Sequence, residues 1–201
     1  MLTIMIEMTS NEKKGDFIAR TNSILANFRS ASRQAKMKLF KSKCCVFYGS
    51  QTWSLNSKWV NELEVCWRKA VRWLLDLPNT TRSVLLPHLL KCDNLKVQLS
   101  HRFLKLMKTV SASSNRKTKW ITMNRSKTGT VQQNIEYLLQ TWNITSEKII
   151  YGEARLKTDL SVQSEHLKRA AAIIDFLDMM IDSKDDDIGN IDFILTYLCT
   201  Y

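Results

Sequence analysis

Turn-forming residues are scarce in this chain, with five glycines and two prolines among 201 residues. Tight turns draw on Gly for positive φ and on Pro for a fixed φ, so this scarcity argues against a sheet-rich fold with many hairpins. A helical chain is expected. Long apolar runs are missing too: no stretch approaches eighteen apolar residues without a charge, and the opening MLTIMIEMTS lacks the basic region and apolar core of a secretory signal. Neither a membrane span nor a membrane partner is expected. The five cysteines, Cys44, Cys45, Cys66, Cys92 and Cys199, are odd in number and follow no framework spacing. Free thiols in an intracellular, reduced protein are the simplest account, without disulfides.

Carboxylates are few where cations are many. Residues 1 to 130 hold 24 Lys and Arg against 7 Asp and Glu, a net of +17, whereas residues 131 to 201 hold 6 against 12, a net of −6. A clustered positive field attracts polyphosphate and releases its condensed counterions, while a merely solvated basic surface is the alternative.

The groupings that chemistry needs are also absent. Phosphoryl transfer on nucleic acid requires carboxylates converging on divalent metals, and the one acidic run, Asp185, Asp186 and Asp187, reads as a helix N-terminal cap. No aromatic-x-Asp-Asp polymerase box occurs. His88, Cys92 and His101 lack the paired spacing and fourth ligand of a zinc site. Cys66 falls on an apolar helix stripe with no His beside it, and Gly129 and Gly152 stand alone rather than in a phosphate loop. No metal, cofactor, small-molecule substrate or enzymatic activity is expected.

Hydrophobic periodicity outlines the helices. The first runs from about Asn11 to Ser30, opened by Thr9 and Glu12 in a capping-box pattern, with Phe17, Ile18, Leu25 and Phe28 inward. A second covers Ser32 to Phe47, its core from Met37, Leu39, Phe40, Cys44, Val46 and Phe47, before Gly49 and Ser50 break it. The third, Asn56 to Leu77, is capped by Asn56 or Ser57 and stopped by Pro78. Its stripe is Trp59, Leu63, Cys66, Trp67, Ala70, Leu74 and Leu77. A short irregular helix near Ser83 to Leu90 contains Pro87, and another spans Asn94 to Val110. The segment SASSNRKTKWITMNRSKTGT loses this periodicity and reads as a linker. Beyond it, helices are expected at Val131 to Trp142, Thr145 to Thr158, Ser161 to Ile181 and Ile188 to Leu198. The expected fold is all-α: a basic helical bundle over 1–112, a linker over 113–130, and a smaller acidic helical tail over 131–201.

Two blocks add a family likeness. The run from Leu39-Phe40 through Cys44-Cys45 to Tyr48-Gly49-Ser50-Gln51-Thr52-Trp53 resembles the LF…YC…YGxQxW signature that follows the polymerase core of LINE-type (non-LTR) retrotransposon reverse transcriptases. Trp67-Arg68-Lys69-Ala70-Val71-Arg72, Leu77-Pro78 and Leu85-Leu86-Pro87-His88 resemble that family's WRKAxR…LPxxTHxxLLP block. Lys43 stands where the family has Tyr, and Thr81-Arg82 where it has Thr-His. The likeness covers about residues 22 to 102. It implies the thumb and post-thumb region, which grips a template–primer duplex, without the fingers, palm and catalytic Asp boxes.

Phosphate contacts position a duplex without reading its sequence. The expected contact residues are Lys36 and Lys43, two turns apart on one helix face, and Lys69 and Arg72, three residues apart on the next, with Lys41, Arg68 and Arg82 in second rank. The partner would be RNA or an RNA–DNA duplex. Trp53, Trp59, Trp67 and Trp73 are expected as core anchors rather than base-stacking platforms. A helical protein-interaction module and a retroelement relic without function are the competing expectations.

Overall fold

A computed structural model describes residues 10–115 and 129–143, together with Thr145 and Ile149. Within them the chain is all-α: α1 (Ser10–Asn27), α2 (Arg33–Lys43), a 3-10 turn (Ser50–Thr52), α3 (Lys58–Leu74), α4 (Leu86–Leu89), α5 (Leu95–Ala112) and α6 (Thr130–Trp142), with no strand among the described residues. Thr9, residues 116–128 of the expected linker, the helix expected from Thr145 to Thr158 apart from Thr145 and Ile149, and the helices expected after it lie outside the described residues, as do Asp185, Asp186 and Asp187.

Two helix starts follow local capping chemistry, whereas Ser57, at the cap position of α3, makes no side-chain capping bond. The Ser32 hydroxyl accepts from the Ala35 amide and the Asn94 side chain accepts from the Val97 amide, each satisfying a backbone donor that the first turn leaves unpaired. The helix ends are less conventional. Past α3, Asp76 takes a left-handed conformation at φ 53°, and the Leu77 amide reaches back to the Arg72 carbonyl at 2.8 Å. Past α4, Lys91 does the same at φ 51°, with the Cys92 amide on the Pro87 carbonyl at 3.0 Å. These are helix C-caps made without glycine. They shorten α3 to Leu74, three residues before the expected stop, and confine α4 to four residues begun around Pro87.

α3 is the central element and packs against α1, α2, α4 and α5. It buries Val60, Leu63, Trp67, Ala70, Val71 and Leu74. Trp67 is wholly enclosed, whereas Trp73, expected as a core anchor, is 50% exposed, because the helical period turns it about a third of a turn away from the stripe of Trp67, Ala70 and Leu74. On α1 the inward positions are Phe17, Thr21 and Ile24, while Ile18 and Phe28 face solvent. Thr21 was hidden from a purely apolar count; its hydroxyl donates to the Phe17 carbonyl at 2.9 Å and lies 3.7 Å from the Cys44 sulfur. Val46 is exposed as well, since α2 ends at Lys43 and the helical register no longer holds there. A row of aromatic rings joins the helices: Phe17 meets Phe40 and Phe47 at 6.0 Å, Phe47 meets Trp53 at 5.7 Å, and Trp53 meets Trp59 at 4.5 Å.

α6, the start of the expected acidic tail, is built into this body. Ile135 and Leu138 join the same buried cluster, and Lys96 of α5 lies 5.7 Å from the centre of the Tyr137 ring. Asn134, only 1% exposed, accepts from the Leu55 amide at 2.8 Å and donates to the Trp53 carbonyl at 2.7 Å. It serves as a surrogate strand for a segment that has no partner of its own. Asn134→Ala would strand two buried backbone groups, and urea unfolding is expected to show a loss of about 1–3 kcal/mol. An unchanged midpoint would mean that α6 does not hold the 53–55 segment.

Candidate functional site

The seven expected contact residues meet different fates. Arg72 is engaged internally: its Nε and Nη2 donate to the Thr81 carbonyl at 3.2 and 2.7 Å, and Nη2 also donates to the Ser83 hydroxyl at 3.0 Å. Burial, and then the neighbouring Arg68 charge, lower its pKa from the usual guanidinium range. The fork ties the end of α3 to the turn before α4, which accounts physically for an Arg at this spacing from Thr81. Lys41 donates to the Lys91 carbonyl at 3.1 Å, tying α2 to the left-handed cap of α4.

The others stand at the surface. Lys36 and Lys43 share one flank of α2, on the far side of its Phe40 stripe from Lys41 by helical periodicity. Lys43 is exposed, and its carbonyl accepts from Arg20 of α1 at 3.3 Å. Lys69 is exposed at the lip of a groove between α1 and α3, lined also by Ile18, Cys66 and Trp73. Arg68 is half-buried beside Arg72, and Arg82 is exposed in the turn before α4. No described carboxylate forms an ion pair with Lys36, Lys43, Arg68 or Lys69.

Sequence reasoning passed over two other cations. Arg102 of α5 donates to the Cys45 carbonyl at 2.6 Å, the Phe47 carbonyl at 3.0 Å and the Ser50 hydroxyl at 3.0 Å, with its guanidinium carbon 5.6 Å from the centre of the Phe47 ring. Arg33 donates to the Leu75 carbonyl at 2.7 Å, satisfying an acceptor at the C-terminal end of α3. Neither sits in a charge run or a motif, so nothing local singles it out.

The carboxylates of the body are largely committed. Residues 10–115 contain 19 Lys and Arg against six Asp and Glu. Lys14 holds Glu62 at 3.0 Å, and this hydrogen bond raises the lysine's pKa. Lys96 lies 3.7 Å from Glu64, Arg20 lies 3.8 Å from Asp16, and His101 lies 3.9 Å from Asp93. The surplus positive charge therefore remains on the surface.

Three of the thiols are held back from nucleophilic chemistry by burial. Burial pushes the Cys45 thiol up to about 12 and the Cys92 thiol to about 11, and raises Cys44 as well, so all three stay protonated at neutral pH. Among the described residues no group of three His, Cys, Asp or Glu side chains gathers to hold a metal ion. Nor is any described helix long and apolar enough to cross a membrane. The two clefts on this side, of about 90 and 190 Å³, fall below the roughly 300–1,000 Å³ of ordinary small-molecule pockets.

Compared with known protein families, with curated proteins and with solved structures, the chain matches none. The reverse-transcriptase resemblance thus rests on its two sequence blocks. Their apolar residues Phe40, Cys44, Trp53, Trp67, Val71 and Leu85 belong to a single buried cluster.

These placements separate two kinds of cation. Arg72→Ala is expected to cost about 1–3 kcal/mol of stability, because the Thr81 carbonyl and Ser83 lose their donor. Lys69→Ala should stay within about 0.5 kcal/mol of the parent in the same chemical denaturation. Equal costs would show that Arg72 is a surface cation like the other.

Proposed function

We propose that this chain is a sequence-independent nucleic-acid-binding helical body, corresponding to the thumb and post-thumb part of a LINE-type reverse transcriptase without its polymerase core. The observation that carries the proposal is the uncompensated positive charge: Lys36, Lys43 and Lys69 sit on rigid helices without ion-pair partners among the described residues, while most carboxylates of the body are engaged elsewhere. Such cations match the regularly spaced charges of a nucleic-acid backbone, which they contact without reading bases.

The two family-like blocks support the same reading. Their order and spacing suit a core in which α2 and α3 pack together, with Arg72 setting the turn that follows. RNA or an RNA–DNA duplex is the partner this reading names. The chain would hold the duplex and would not polymerise.

Fluorescence anisotropy of an RNA–DNA hybrid, titrated with the full chain at several salt concentrations, tests it. If Lys36, Lys43 and Lys69 each neutralise one phosphate, they account for about 2.7 log units of affinity per log unit of salt. The combined variant K36E/K43E/K69E should bind at least about tenfold more weakly and lose most of that slope. Binding that ignores salt, or that survives the triple reversal, contradicts the proposal.

A further inference from the structure

Tyr48 is 85% exposed, the most exposed large hydrophobic side chain among the described residues. Its neighbours are the opposite: Phe47 is buried, and Ser50 is wholly enclosed. The backbone that carries Tyr48 is held firmly. Arg102 binds the carbonyls of Cys45 and Phe47 and the hydroxyl of Ser50, and the Ser50 amide closes a turn on the Phe47 carbonyl at 3.3 Å. Gly49, at φ 69°, completes the turn in a conformation that side-chain-bearing residues adopt only under strain. A rigid turn with an aromatic ring at its tip presents a flat surface that needs no ordering when something stacks on it.

The ring stands among cations. A cleft of about 90 Å³ beside it is lined by Lys13, Arg20 and Asp16, with Phe17, Phe47 and Trp53 as its floor. Arg20 is anchored at this edge by its hydrogen bond to the Lys43 backbone carbonyl at 3.3 Å. Arg20 is nearly half exposed, and its contact with Asp16 is a long 3.8 Å pair of i,i+4 type on a helix surface. Pairs of that kind contribute only a few tenths of a kcal/mol, so an incoming phosphate can recruit the guanidinium. The cleft is too small to enclose a nucleoside. A base therefore has to lie against the outer face of the ring, with its phosphate toward the cation rim.

We infer that Tyr48 and Arg20 form a binding site for an unpaired nucleotide, the base stacking on the Tyr48 ring and the adjacent phosphate contacting Arg20. This inference deepens the nucleic-acid reading above and rests on it. Base–aromatic stacking tolerates any sequence, because every base has a π face, in keeping with a site that reads no bases. It would hold a single-stranded extension beside a gripped duplex.

Two probes separate this inference from the parent reading: a blunt RNA–DNA hybrid, and the same hybrid with a single-stranded extension carrying 2-aminopurine. Tyr48→Ala in the full chain should weaken binding of the extended probe roughly 5- to 150-fold and abolish the stacking quench of 2-aminopurine, leaving the blunt hybrid unaffected. Tyr48→Phe should bind like the parent, and Arg20→Ala should weaken the extended probe alone. Circular dichroism spectra matching the parent would show that the variants fold, as expected for exposed side chains. Equal binding of the extended probe by Tyr48→Ala and the parent overturns the inference while leaving duplex binding standing. Equal weakening on both probes also overturns it, since the ring would then serve the duplex grip. Failure of the parent chain to bind either probe overturns both readings.

Discussion

The guanidinium of Arg102 is the interaction on which the arrangement of this protein most depends. Between the end of α2 and the start of α3 the chain runs through fourteen positions, irregular except for a 3-10 turn of three residues, and its carbonyls have no ladder to join. Arg102 reaches from α5 to three acceptors in that segment. Burial lowers its pKa somewhat from the guanidinium range, yet it stays charged, and charged donors make the stronger hydrogen bonds. The consequence is geometric. With Cys45, Phe47 and Ser50 fixed, Phe47 stacks on Phe17 and meets Trp53 edge-on, and the aromatic row ties α1 to α3. Asn134 secures the other end of the same segment from α6.

Charge placement follows from that frame. The cations used to close loops, Arg33, Arg72, Arg102 and Lys41, each donate to backbone carbonyls rather than to carboxylates. Irregular chain in a glycine-poor fold leaves carbonyls to be satisfied, and Arg, with five donors in a rigid fork, does this at several acceptors at once. Such bonds neutralise no charge. The basic character of the body therefore has two origins, one structural and one left at the surface, and Lys36, Lys43 and Lys69 are of the second kind.

The helices were legible because their signal is local. The period of α3 and α5, and the caps at Ser32 and Asn94, can be read from a few adjacent residues. The helix ends were not, because a left-handed cap at Asp76 or Lys91 carries no glycine to announce it. The inward face of α1 was misjudged for a related reason: Thr21 is a core residue whose hydroxyl is satisfied by its own helix, so counting only apolar side chains rotates the stripe toward Ile18. Among the candidate cations, Arg72 looked like a partner of Lys69 by spacing alone. Its role depends on Thr81, nine residues on, and on a turn that no periodicity reveals. Arg102 was invisible for the same reason at longer range, its acceptors being more than fifty residues back.

Native-state hydrogen exchange on Arg102→Lys tests the central dependence most directly. Lysine keeps the charge but has no fork to span three acceptors. Faster exchange at the amides of Ser50, Thr52 and Trp53, with the α3 amides as protected as in the parent, is the predicted result, since those three amides close the turn that Arg102 holds. Unchanged protection across that turn would contradict the account and show that aromatic packing alone fixes the segment.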